Sequence, residues 1–190
     1  FGLYGRPTTV NNTQSFAAVP AIMRRGAKWF AELGVPNSGG TAIFSVSGHV
    51  SRPGNYELAM GIPFRELLDI CGGMRGGRRL KAVIPGGSSV PVLPAALIMD
   101  CAMDFDSLRK AGSAVGSAGV IVMDEGTCMV RVLERISRFY MAESCGQCTP
   151  CREGTGWLTR MLRRILAGEG RLSDLDLLVQ VANQIEGHTI

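Results

Sequence analysis

The sequence predicts an α+β fold in which short strands lie between two helical regions. Apolar residues recur at helical spacing over about residues 13–33, and the same periodicity returns in residues 126–190. Between these regions, residues 36–125 alternate strand-like runs with turns rich in Gly and Pro. These observations predict three successive parts of the chain: a helical first domain, a small central α+β domain of about 85 residues and a helical last domain.

The first domain is predicted to contain one helix after a polar, turn-rich start. Phe16, Val19 and Ile22 share one face of that helix. Pro20 lies inside the run and predicts either a kink or a first-turn position, because proline lacks the N–H that an inner helical position donates. The glycine-rich segment 34–40 then predicts a linker to the next domain.

The central domain is predicted to hold a few short strands and one short helix. Strand-like runs cover residues 41–47, 80–85 and 119–123, and a turn followed by a short strand covers residues 50–58. Apolar spacing in residues 63–71 favours a short helix, which a pair of glycines ends. Such a mixture is typical of a small α+β domain.

Three helices are predicted for the last domain, with a cysteine run between the first two. Apolar stripes at helical spacing mark residues 129–140, 157–166 and 175–185. The cysteine run at residues 145–151 therefore lies in a loop, and Cys151 lies at or near the start of the second helix.

Composition excludes several classes of protein. The 190 residues are 46% hydrophobic and 19% charged, which is globular rather than disordered composition. The net charge is only +4, and no basic block interleaved with aromatics indicates nucleic-acid binding. No apolar run is long enough to span a membrane. The first residues show neither an initial Met nor a signal-peptide pattern, so we expect a cut edge inside a longer protein.

The most informative motif is C-x-x-C-x-x-C, formed by Cys145, Cys148 and Cys151. Three thiolates at this spacing enclose one small volume, and thiolates select soft or borderline metals, chiefly iron–sulfur clusters and zinc. The start of a following helix favours the negative charge of these thiolates, and Arg152 is expected to offset more of it. An iron–sulfur site is predicted, with a structural zinc site as the alternative.

The sequence leaves the fourth ligand of such a site open. His188 is one candidate, although a lone His near a chain end is typically solvated. Cys71, Cys101 and Cys128 lie in apolar contexts and are interpreted as small buried hydrophobes. Cys128 is the best candidate among these three, because it begins the preceding helix.

The cysteine run and its flanks, residues 143–156, resemble the cluster-binding signature of one family, the NADH-binding flavoprotein subunit of respiratory complex I, an NADH-quinone oxidoreductase. The resemblance extends over the full length of the chain. Further similar segments are residues 7–12, 45–54, 84–89, 103–108 and 122–124. The cysteine run with its flanks is a very specific motif, which the related diaphorase subunits also share, whereas the glycine-containing segments alone would be weak evidence.

The resemblance implies a fold for each domain. Residues 1–35 would be the helical tail of an FMN- and NADH-binding α/β domain. Residues 36–125 would form a ubiquitin-like β-grasp domain of the soluble-ligand-binding type, and residues 126–190 would form a helical bundle that holds a 4Fe–4S cluster.

The resemblance also assigns cluster ligands. Cys145, Cys148 and Cys151 would be three ligands of the 4Fe–4S cluster, and the fourth cysteine of the family is expected just beyond Ile190. No residue of this chain is assigned a catalytic role.

Flavin contacts are implied for a short segment near the start of the chain. Thr9, Asn11 and Asn12 would lie near the FMN in the intact subunit. Considered without the family, the asparagine pair is equally well explained as the cap of the first helix.

The implied function is electron transfer from NADH through FMN to the 4Fe–4S cluster and onward to quinone. The implied partners are a thioredoxin-like 2Fe–2S subunit and the large iron–sulfur subunit of the complex. The location would be peripheral, on the cytoplasmic side of a bacterial inner membrane or on the mitochondrial matrix side.

Two other functions remain alternatives to this one. The first is a diaphorase subunit of an NAD-linked hydrogenase or formate dehydrogenase, and the second is a zinc-stabilised interaction module without a redox role. In every case the 190-residue chain alone is expected to be inactive toward NADH. The family's glycine-rich flavin and nucleotide segment is absent from it.

Overall fold

The computed structural model describes residues 2–189 and has a mixed α/β fold, so the predicted mixture of strands and helices is confirmed. The chain divides after Glu125 into two compact units. Each unit has its own packing and is described separately.

After a 3-10 turn at Leu3–Gly5, the first unit has two α-helices where the sequence predicted one. Helix α1 covers Thr13–Arg25 and α2 covers Ala27–Glu32. Gly26 separates them because its φ of +90° is incompatible with a helix. Pro20 lies inside α1, so the interruption occurs at the glycine rather than at the proline.

Five strands then form one sheet in the order β2-β1-β5-β3-β4. Strand β1 pairs in parallel with β5, and the other neighbouring pairs are antiparallel. The strands are β1 (Thr41–Gly48), β2 (Gly54–Ala59), β3 (Leu80–Ile84), β4 (Leu93–Pro94) and β5 (Gly119–Asp124).

Alternation along β1 determines which face of the sheet is buried. Phe44 and Val46 are buried in the core, whereas Ser45 and Ser47 are exposed on the opposite face. Gly48 ends the strand with a φ of +90°, and a Cβ there would collide with the carbonyl oxygen of Val122 on β5. The close parallel pairing of β1 and β5 therefore depends on this glycine.

Besides a 3-10 turn at Arg75–Gly77, three short α-helices complete the first unit. They are α3 (Phe64–Ile70), α4 (Ala95–Ile98) and α5 (Phe105–Lys110). Each buries at least one large apolar side chain against the same face of the sheet. This burial accounts for the short apolar runs between the strands.

The second unit consists of three helices in sequence. Helix α6 covers Met129–Glu143, α7 covers Thr149–Leu166 and α8 covers Leu172–Ile185. Helix α7 packs against both of the others. Glu134 on α6 is buried and lies 3.1 Å from the Nε atom of Arg163 on α7, so an ion pair joins these helices.

The predicted apolar stripes of the first and third helices end within a few residues of α6 and α8, whereas α7 begins at Thr149, eight residues before its apolar stripe. Among the described residues, no helix combines the length and the apolar character that crossing a bilayer requires.

Candidate functional site

The three motif cysteines surround the start of helix α7. Cys145 is exposed in the loop after α6, and Cys148 occupies the position immediately before α7. Cys151 lies in the first turn, and both it and Cys148 are partly buried. The three cysteines therefore lie on one loop and one helix start, as the sequence predicts.

Local residue preferences explain why the helix begins here. Gly146 has a φ of +77°, a conformation that glycine adopts without the steric cost of a side chain. Pro150 lies in the first turn of α7, where its missing N–H costs no helical hydrogen bond. The backbone can thus turn sharply between Cys145 and Cys148 before it enters the helix.

Ser144 contacts both ends of this loop. Its Oγ atom accepts a hydrogen bond from the N–H of Gly146 at 3.3 Å. The same Oγ atom lies 3.4 Å from the Sγ atom of Cys151. The hydroxyl group therefore connects the loop to the cysteine in the first helical turn.

Arg152 forms a second connection to the same loop. Its Nη1 atom donates to the carbonyl oxygen of Gly146 at 2.7 Å, and its Nη2 atom donates to Thr149 Oγ1 at 3.3 Å. Its Nε atom lies 3.1 Å from a carboxylate oxygen of Glu153. The positive charge beside the cysteines is therefore partly neutralised.

Small buried residues follow Cys151 in helix α7. Thr155 is buried, and its Oγ1 atom donates to the carbonyl oxygen of Cys151 at 2.7 Å. Gly154 and Gly156 are also buried in this turn of α7. The absence of side chains at these positions lets the neighbouring helices approach α7 closely.

The three motif cysteines have the chemistry that an iron–sulfur cluster or zinc requires of its ligands. All six cysteines lie within residues 2–189, and no disulfide joins any of them. In that part of the chain, no three His, Cys, Asp or Glu side chains are arranged around one common metal position. The structure thus provides the thiols on one loop and helix start, while their Sγ atoms still have to converge.

The other candidate ligands lie in different environments. Cys71 is fully buried, and burial raises the pKa of its thiol. Burial likewise raises the pKa of Cys101, whose Sγ atom lies 3.2 Å from the carbonyl oxygen of Leu97. Cys128 is exposed immediately before α6, so its interpretation as a buried hydrophobe is wrong.

His188 is exposed near the end of the chain. Its Nδ1 atom lies 3.0 Å from the carbonyl oxygen of Glu186, a local contact within the turn after α8.

The residues predicted to contact flavin lie before α1. Thr9, Asn11 and Asn12 are all exposed. Asn12 caps α1, because its Oδ1 atom accepts a hydrogen bond from the N–H of Gln14 at 2.8 Å. The capping explanation is therefore observed for Asn12, and its side-chain amide nitrogen remains compatible with a second role.

Sequence reasoning missed the role of Ser144 and underestimated that of Arg152. Arg152 was expected to act by charge, whereas its hydrogen bonds in fact hold the loop backbone. A serine directly before the first motif cysteine was the available signal for Ser144. Its contact with Cys151 depends on the turn at Gly146, which residue spacing does not reveal.

Comparison with known families assigns two regions of the chain. Residues 131–190 match a family model described as the NADH-ubiquinone oxidoreductase-F iron-sulfur binding region. Residues 42–122 match the model of the SLBB domain. The first of these regions includes all three motif cysteines.

Curated relatives match the whole chain. The F subunit of the NADH-quinone oxidoreductase of Rickettsia bellii (strain OSU 85-389) is 57% identical over 192 residues, with 100% of this chain and 46% of the relative covered. The corresponding protein of Rickettsia massiliae (strain Mtu5) is 58% identical, with 100% of this chain and 45% of the relative covered. The chain therefore spans about half the length of the curated relatives that it matches.

Solved structures with the same fold come from an NAD+-reducing NiFe hydrogenase. Its H2-reduced state matches with a TM-score of 0.85 and 33% identity, with 97% of this chain and 30% of that chain covered. Its air-oxidised state matches with a TM-score of 0.84 and 33% identity, with 98% and 31% covered.

Proposed function

We propose that this chain, which is similar along its whole length to the F subunits of NADH-quinone oxidoreductases, carries electrons from a flavin to a 4Fe–4S cluster. Cys145, Cys148 and Cys151 would supply three of the cluster ligands. The single observation that carries the proposal is the match of residues 131–190 to an iron–sulfur binding region that includes these cysteines. The predicted resemblance to this type of subunit is confirmed.

The cluster, when bound, supplies one-electron transfer, and the residues of the chain provide position and electrostatics. Cys148 precedes the first turn of α7 and Cys151 lies within it, where N–H groups have no partner inside the helix and the helix dipole favours negative charge. The buried small residues behind Cys151 keep this turn close to the neighbouring helices. None of these residues makes or breaks a bond.

The division into three domains is part of the proposal. Residues 36–125 would form a β-grasp domain, which is supported by the SLBB match over residues 42–122 and by the five-stranded sheet. Residues 126–190 would form the helical cluster domain, in line with the division of the chain after Glu125. Residues 1–35 would belong to the domain that binds FMN and NADH.

Flavin contact is proposed for Thr9, Asn11 and Asn12. These side chains are exposed at the start of α1, where a flavin could reach them. The Oδ1 atom of Asn12 is used by the helix cap, which leaves the Nδ2 group as its flavin contact.

The partners would be the thioredoxin-like 2Fe–2S subunit and the large iron–sulfur subunit of the complex. A peripheral position at the membrane, on the bacterial cytoplasmic side or the mitochondrial matrix side, would follow from that assembly. NADH would be the electron donor and quinone the final acceptor.

One alternative function has specific support. The NAD+-reducing hydrogenase structures share the fold over nearly the whole chain, which favours a diaphorase subunit of that type. Identity is 33% in that comparison and 57% with the quinone-linked relative, so the quinone-linked function is the better supported. A zinc-stabilised module remains a second alternative, because thiols at a helix start also suit zinc.

The test compares Cys148→Ser with Cys101→Ser in the full-length protein, purified without oxygen. We expect Cys148→Ser to lose the electron paramagnetic resonance signal of the cluster and most of its iron, and Cys101→Ser to keep both. Cys101 is the matched control because it is partly buried and lies outside the motif. Loss of signal in both variants would refute the ligand assignment, and tightly bound zinc without iron in the unaltered protein would refute the redox function.

A further inference from the structure

The hydroxyl group of Ser144 has a defined hydrogen-bond direction. A backbone N–H can only donate, so the Oγ atom accepts from Gly146 at 3.3 Å. The hydroxyl proton is then available for the Sγ atom of Cys151, which lies 3.4 Å away. When Cys151 is a thiolate it has no proton to give, and Ser144 must be the donor.

Arg152 binds the other polar backbone group of the same glycine. Its guanidinium donates to the carbonyl oxygen of Gly146, whose N–H is already held by Ser144. Both polar groups of Gly146 are therefore engaged, and its positive φ fixes the turn between Cys145 and Cys148.

We infer that Ser144 and Arg152 are positioning residues of the cluster site, in addition to the cysteine ligands. Ser144 donates a hydrogen bond to the sulfur of Cys151, and Arg152 holds the loop that carries the other two thiols. This inference rests on the proposed function, because it assigns both residues to the same cluster.

The two residues differ in what they control. Reduction adds negative charge to a cluster and its sulfur ligands, so a donated hydrogen bond stabilises the reduced state and raises the reduction potential. The side chain of Arg152 is 45% exposed and is paired with Glu153, so solvent and the carboxylate screen its charge. The contribution of Arg152 is therefore mainly to loop geometry and cluster retention.

The test for Ser144 is a redox titration of the full-length protein followed by electron paramagnetic resonance. Ser144→Ala is expected to keep its iron but to shift the midpoint potential to a more negative value. The expected size is about tenfold in the reduction equilibrium, or roughly 59 mV for one electron. Ser144→Thr restores the hydroxyl and should restore the potential, and exposed Ser173→Ala on α8 should leave it unchanged.

The test for Arg152 is the rate of iron loss to a chelator. Arg152→Gln is expected to lose iron several-fold faster than Arg160→Gln, an exposed control on the same helix. Arg152→Lys should behave like Arg152→Gln, because an ammonium group lacks the planar fork that reaches both Gly146 and Thr149. Full retention in the Lys variant would show that charge is sufficient, which would overturn the loop-holding role.

These results separate the inference from the proposed function. Unaltered protein without an iron–sulfur cluster would refute the function itself. Unaltered protein with the cluster, together with an unchanged potential in Ser144→Ala, would refute only the hydrogen bond to Cys151. Circular dichroism of each variant verifies that its helices have formed, and the Thr variant tests Ser144 even where the Ala variant is unstable.

Discussion

Gly154 offers a sharp test of how closely α7 and α8 pack next to the cysteines. It lies inside α7 and is buried. A Cβ added there would lie 2.8 Å from the Cδ1 atom and 2.9 Å from the Cγ1 atom of Ile185 on α8. Real carbon atoms do not approach this closely, so Gly154→Ala must displace Ile185 or part α8 from α7.

Two opposing effects decide the size of the change. Alanine is the better helix former by about 0.8–1.0 kcal/mol. Overpacking a well-packed contact costs about 1–3 kcal/mol. Ile185 is the last residue of α8 and can give way partly, so the middle of that range applies. The net expectation for Gly154→Ala is therefore a loss of about 1 kcal/mol in the free energy of unfolding.

Gly156→Ala is the matched control on the same buried turn. A Cβ there would meet only the ends of two flexible side chains, Arg160 Nη1 at 3.4 Å and Met141 Sδ at 3.8 Å. The gain in helix propensity then remains, so this variant should be more stable by about 0.4–1 kcal/mol. The two alanines are thus predicted to act with opposite signs.

The assay is thermal denaturation of the chain, followed by circular dichroism at the helical signal. For a unit of this size, 1 kcal/mol corresponds to roughly 4–8 °C in the thermal midpoint. The reasoning would be refuted if Gly154→Ala were as stabilising as Gly156→Ala, because α8 would then not lie against Gly154.

Three further predictions concern other parts of the chain. Hydrogen bonding from the N–H of Arg171 lowers the pKa of Asp174, so its contribution to stability should fade as pH falls below about 3.8. In Asp174→Asn, the free energy of unfolding should therefore not show this loss at low pH. Asn12→Asp keeps the cap acceptor but loses the amide donor, so FMN retention in the full-length protein should fall while helix content is unchanged. The 190-residue chain alone should show no NADH:ferricyanide activity in a spectrophotometric assay.

Periodicity was sufficient to predict most elements but not how they associate. The strand-like run of residues 41–47 predicts a strand, which β1 confirms, and along it Phe44 and Val46 are buried whereas Ser45 and Ser47 are exposed. The parallel pairing of β1 with β5 joins residues far apart in sequence, and no local pattern specifies that partner. The break at Gly26 was missed because a glycine within a helical pattern does not reveal its φ.

The cysteine site follows the same division between local and non-local information. Spacing alone predicted that Cys151 lies at a helix start, and the structure confirms this position. It did not predict that Ser144 and Arg152 meet at Gly146, because that contact requires the turn itself. Side-chain hydrogen bonds across a turn depend on backbone geometry that residue identity does not fix.

This arrangement bears on how a cluster would be loaded. Fixing the backbone of a loop costs about 1–2 kcal/mol per residue in conformational entropy, whereas turning a cysteine sulfur changes only one side-chain torsion. The hydrogen bonds to Gly146 already restrict the backbone between Cys145 and Cys148. These hydrogen bonds thus reduce the backbone entropy that cluster loading must overcome, and a variant that frees the loop should weaken cluster retention without removing any sulfur.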